Sequence, residues 1–148
     1  MGGHPYYYAV PYQSDINKAL QALRGQEFEA GRYNPVVPFL NFEFGGGPQP
    51  SPGKRHRSIE DALKASEADG TRSILDVERI ESSPGFGVAT PVRPERLIEL
   101  YGTDKPSREM VAANMDFFEE IDGGQAVYIV LYQDGQPGEI FFAGMSYD

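Results

Sequence analysis

Residues 126–145, AVYIVLYQDGQPGEIFFAGM, carry the clearest structural signal in the chain. Val127, Ile129 and Leu131 alternate with Tyr128, Val130 and Tyr132, the period of two that sends successive side chains to opposite faces of a strand. Asp134-Gly135 opens a turn, and Glu139–Met145 returns as the partner strand. The fold is therefore expected to contain an antiparallel hairpin, and the rest of the chain is read outward from it.

At the other end, Pro5–Tyr12 reads as a strand rich in β-favouring tyrosines, with Tyr6, Tyr8, Val10 and Tyr12 on one face. Ser14 or Asp15 then offers an N-cap to a helix whose apolar stripe is Ile16, Ala19, Leu20 and Leu23, with Gly25 as its stop. Glu27–Tyr33 alternates and predicts a second strand, broken by Asn34-Pro35 and followed by an extended stretch, 36–44. A Gly/Pro-rich loop covers about 45–57. Ser58 caps a second helix closed near Gly70, and Glu60 and Asp61 favour its first turn. Arg72–Ile80 and Phe86–Thr90 predict strands, Pro94–Tyr101 a short helix, and Ser107 the cap of a helix running to about Ile121. This order predicts one α+β domain over 1–148. Its sheet is expected to be mixed or mostly antiparallel, of about five to six strands, packed by about four helices.

A chain of 148 residues with nine Phe and nine Tyr can bury a core without a disulfide or metal staple. With no cysteine, thiolate metal sites, disulfides and cysteine nucleophiles are all excluded. The first residues lack a basic segment leading into an apolar one, and no apolar run reaches the roughly 20 residues of a bilayer span. A cytoplasmic protein is the expectation.

The net charge is −9, from 13 basic and 22 acidic residues. That balance disfavours nucleic acid and anionic membranes as partners, since clustered Lys and Arg supply most of such affinity. Residues 116–148 hold seven of the carboxylates and no Lys or Arg, whereas residues 1–115 hold 13 basic and 15 acidic side chains. The excess is thus concentrated near the C-terminus.

The chain holds two histidines, His4 and His56, far apart and with no adjacent ligand, so no metal or cofactor is expected. Gly53-Lys54 superficially resembles the end of a phosphate loop, but Pro48, Pro50 and Pro52 have no N–H to offer a phosphate, and Arg55 stands where a hydroxyl is needed. No nucleophile elbow is present. The basic run Lys54-Arg55-His56-Arg57 is open to three readings: a phosphate or acidic partner, solvation, or folding back onto the acidic C-terminal region.

Two clusters remain. Asp116, Glu119, Glu120 and Asp122 crowd the predicted end of the helix from Ser107, where the macrodipole disfavours anions. With Phe117 and Phe118 among them, they suggest a surface shaped for a basic protein partner. On this reading the protein is a non-catalytic interaction module, of inhibitor, immunity or adaptor type. The alternative is a small-molecule binder or an enzyme acting on an anionic substrate, with a pocket near Arg32, Tyr33 and Asn34, where Arg can grip an oxyanion bidentately. A third reading is a homo-oligomer joined through a sheet edge. The sequence names no catalytic residue.

Overall fold

The computed structural model describes residues 3–33, 52–67 and 70–147. Strands β1 (Pro5–Pro11), β2 (Arg79–Ile80), β3 (Val88–Pro91), β4 (Ala126–Gln133) and β5 (Gln136–Met145) form one sheet in the order β1-β5-β4-β3-β2. β5 is antiparallel to both β1 and β4, whereas β3 is parallel to both β4 and β2. The sheet is mixed and the fold is α+β, as the sequence predicts. Asp134 and Gly135, both at positive φ (53° and 75°), make the two-residue hairpin turn between β4 and β5.

Helices cover both faces. Helix α1 (Ile16–Ala30) lays Ala19, Leu20 and Leu23 against Tyr6, Tyr8, Ile140 and Phe142. On the opposite face, α3 (Pro94–Tyr101), α4 (Arg108–Ala113) and a 3-10 turn at Asp116–Glu120 supply Leu97, Val111 and Phe117 to a core with Ile129, Leu131 and Phe141. Adjacent residues of β5 therefore belong to different cores. A sheet buried on both sides needs this near-continuous apolar run in place of simple alternation. Gly144 is required there, because a Cβ at that position would collide with the ring and hydroxyl of Tyr6.

Helix α2 (Ile59–Ala65) and a 3-10 turn at Ile74–Asp76 close a third cluster at the far end of α1, from Phe28, Tyr33, Ala62 and Leu75. Local capping follows expectation. Asp15 accepts from Lys18 N, Ser58 from Asp61 N and Ser107 from Met110 N.

Four segments differ from the sequence reading. Glu27–Tyr33 is not a strand: α1 runs through Gly25 to Ala30 and stops at Gly31, which takes φ 74° and donates to Glu27 O and Phe28 O. The apolar stripe continues from Leu20 and Leu23 to Phe28, and Glu27 joins the buried side by pairing with Arg32. That pairing disguised the helical period as alternation. The predicted strand Arg72–Ile80 is mostly a 3-10 turn, with only Arg79–Ile80 in the sheet, because Ser73 caps the turn through Leu75 N. The second helix ends at Ala65, where Ser66 is its C-cap. The helix from Ser107 ends at Ala113 rather than Ile121. Of the predicted loop and extended segment, residues 34–51 lie outside the described residues.

Candidate functional site

The acidic cluster stands on a turn rather than on a helix end. Asn114 adopts an extended backbone (φ −146°, ψ 104°) that breaks α4, and it is anchored by the Tyr101 hydroxyl donating to its carbonyl at 2.6 Å. The Asn114 side chain accepts from Asp116 N at 3.0 Å and starts the 3-10 turn. Phe117 is driven into the core, edge-on to Phe141 at 5.9 Å, and Ile121 is buried behind it. Phe118 is half-buried, stacked on Phe117 and edge-on to Tyr7. With the two apolar anchors turned inward, Asp116, Glu119, Glu120 and Asp122 all face solvent.

This geometry revises the electrostatic argument. Asp116 lies in the first turn of the 3-10 segment, where a carboxylate is favourable rather than frustrated. Glu120 is neutralised: Arg96 of α3 donates to it through Nε at 2.7 Å, and Arg96 also reaches Glu99 at 3.5 Å. Asp116, Glu119 and Asp122 form no ion pair among the described residues. Burial, together with the nearby Asp116 carboxylate, pushes the Tyr101 hydroxyl up to about 12. The surviving acidic surface is therefore three exposed carboxylates, Asp116, Glu119 and Asp122, on and just beyond the 3-10 turn.

Behind the turn, Glu120 and Phe117 line a cleft of about 270 Å³ together with Thr90, Arg93, Arg96 and Val127. Thr90, Arg93 and Arg96 were not singled out by the sequence. They lie 24 or more positions from Glu120, and no local spacing announces that they meet.

The second cluster is assembled differently. Arg32 grips Glu27 with two hydrogen bonds, Nε to Oε1 at 2.9 Å and Nη2 to Oε2 at 2.7 Å. The Glu27 carboxylate holds the Arg32 guanidinium more firmly protonated than usual. Tyr33 is fully buried, its ring parallel to that of Phe28 at 6.4 Å, and its hydroxyl is 2.6 Å from His56 Nδ1. Burial raises the pKa of that hydroxyl. Asn34 lies outside the described residues.

The basic run folds back onto this corner. Arg55 lies over the Tyr33 ring at 4.7 Å and donates to Tyr33 O at 2.7 Å. Lys54 sits 5.7 Å over the Phe28 ring and 4.0 Å from Glu29. Among the described residues Arg57 pairs with Asp61, at 3.9 Å and largely in solvent. Lys54, Arg55 and His56 are thus spent on tying the chain to the end of α1, and these partners lie there rather than in the acidic C-terminal region.

Among the described residues no group of three or more His, Asp or Glu is arranged to hold a metal ion. No helix among them is long and apolar enough to cross a membrane. No protein-family model, curated protein or solved structure matches the chain.

Proposed function

We propose that the protein is a non-catalytic interaction module of the cytoplasm that recognises a basic protein partner through Asp116, Glu119 and Asp122. The observation that carries this reading is that these three exposed carboxylates have no intramolecular cation among the described residues, while their neighbour Glu120 has one. A rigid base supports the surface, since Phe117 and Ile121 lock the turn into the core. Charge presented in this way speeds encounter with an oppositely charged protein and selects against acidic ones.

The test is a paired capture from native lysate with the wild-type chain and the double variant Asp116→Lys/Glu119→Lys, each at low and high salt. The expected result is a basic protein retained by wild type at low salt, released as ionic strength rises, and not retained by the variant. Equal retention by both chains would remove the acidic turn as the interface. The Arg32-Tyr33 pocket is less well supported, because the guanidinium of Arg32 and the hydroxyl of Tyr33 already have partners within the fold.

A further inference from the structure

We infer that the exposed ring of Phe86 and the Asp122 carboxylate form one docking point, which takes an arginine side chain of a basic protein partner. The inference rests on the reading of Asp116, Glu119 and Asp122 as a partner surface, and it names the residue that the partner presents there. Phe86 is the starting observation. At 61% exposed it is the most solvent-facing large apolar side chain among the described residues, ahead of Ile98 at 52%. An exposed apolar side chain alone is ordinary; what sets this one apart is how firmly it is held.

Two β-turns hold the ring. Val88 N donates to Gly85 O at 3.1 Å, and Gln125 N donates to Asp122 O at 3.0 Å. Each turn has a glycine at its third position, Gly87 at φ 75° and Gly124 at φ 83°, a conformation that other residues rarely adopt. The turns are clasped together by Gly87 N, which donates to Gly124 O at 2.8 Å. Phe86 therefore rests on the turn that Asp122 opens. The Cδ2–Cε2 edge of its ring fills the space that any side chain at Gly124 would need. The ring of Tyr147 supports it from 4.9 Å, and the Tyr147 hydroxyl donates to Glu67 O.

The charge beside the ring selects the occupant. Asp122 is exposed and forms no ion pair among the described residues. On the segments that meet here, 66–67, 71–87 and 122–125, the charged side chains that reach the surface are of both signs. Glu67, Glu78, Glu81 and Asp122 are carboxylates, and Arg72 and Arg79 are guanidiniums. Arg79 is closed onto Glu81, and the balance is negative. An aromatic face beside a carboxylate suits a guanidinium, whose plane can lie over the ring while its N–H fork reaches the oxygens. An ammonium is a compact point charge and lacks that planar fit. Asp122 also belongs to the acidic surface that begins at Asp116, so the docking point continues that surface.

The proposal is tested by amide-resolved NMR titration of the full chain with the peptide acetyl-Gly-Arg-Gly-amide. Two companion peptides replace the arginine by lysine or by citrulline, its neutral isostere. Saturable shifts at residues 85–87 and 122–125 are expected with arginine, weaker binding with lysine and no saturation with citrulline. Phe86→Leu keeps an apolar side chain and should bind the arginine peptide about threefold more weakly, the scale of an exposed cation–π contact. Asp122→Asn should weaken it about threefold as well, the scale of an exposed ion pair. The inference is overturned by equal saturation with citrulline, by no saturable shift at arginine-peptide concentrations well above millimolar, or by Phe86→Leu binding as wild type does. The double variant Asp116→Lys/Glu119→Lys leaves Phe86 and Asp122 in place, so the two readings fail separately. Loss of capture by that variant, together with wild-type peptide binding by Phe86→Leu, overturns this inference alone. Unchanged capture with a saturable arginine titration removes the acidic turn alone.

Discussion

Two corners of the molecule, at Arg32-Tyr33 and at Phe86-Asp122, hold similar chemistry in opposite states. Each sets a charged side chain beside aromatic rings. At the first corner the guanidinium of Arg32 is closed onto Glu27 and the Tyr33 hydroxyl onto His56. At the second, Asp122 has no counter-ion among the described residues, and most of the Phe86 ring faces solvent. The difference teaches that residue type alone does not make a binding group. What counts is whether the fold has already used the hydrogen-bonding capacity of that group, since a satisfied donor gains little by exchanging one partner for another.

The sharpest way to break the comparison is to remove the buried anion at the first corner. Glu27→Ala leaves the Arg32 guanidinium, 15% exposed in its side chain, facing an apolar gap. We expect a loss of about 3 kcal/mol in urea denaturation, the scale of a broken buried pair. A loss near zero would show that the corner is as open as the one at Asp122. A smaller effect should follow from Tyr33→Phe, which keeps the stack on Phe28 but removes the bond to His56. The expected loss is about 1 kcal/mol.

The α1 face also contains one carboxyl that is incompletely satisfied. Asp76 accepts from Thr71 N and Thr71 Oγ1 through Oδ1, each at 2.8 Å, while its buried Oδ2 has no hydrogen-bond partner. Burial raises its pKa, against the opposing pull of the Thr71 bonds, the nearby Arg72 backbone N–H and the Arg24 charge. A raised folded-state value means that the native chain binds more protons than the unfolded one at pH values between the two, so stability falls as pH rises through that window. The window begins at the ordinary aspartate range, about pH 3.9, and extends upward. Asp76→Asn removes this term. The stability of wild type relative to the variant should therefore decline from acidic to neutral pH, as read by urea midpoints. A difference that does not change with pH would refute the assignment. The smallest effect concerns Gly25, inside α1. A Cβ there would meet nothing within 4 Å. Gly25→Ala should raise stability by about 0.5–1 kcal/mol, as measured by thermal melting.

The hairpin Ala126–Met145, the tyrosine strand and the caps at Asp15, Ser58 and Ser107 were legible because their signals are local. Period two, a turn dipeptide and a side-chain oxygen three residues before its N–H are all interactions between near neighbours in sequence. Glu27–Tyr33 was misread because the burial of a carboxylate depends on Arg32 turning back over the helix end. The acidic turn was legible as charge but not as geometry, since the break at Asn114 depends on Tyr101 of the preceding helix reaching across to its carbonyl.

The residues themselves determined that the fold is α+β, that the anionic excess lies late in the chain, and that thiolate chemistry is absent. Only the tertiary structure decided which charges remain available. Arg96 meets Glu120 because β3 and β4 are parallel neighbours, and that pairing requires the connection between them to cross one face of the sheet and bring α3 beside the acidic turn. A contact that depends on strand order is set by the burial of the whole core, so no short window of sequence can encode it.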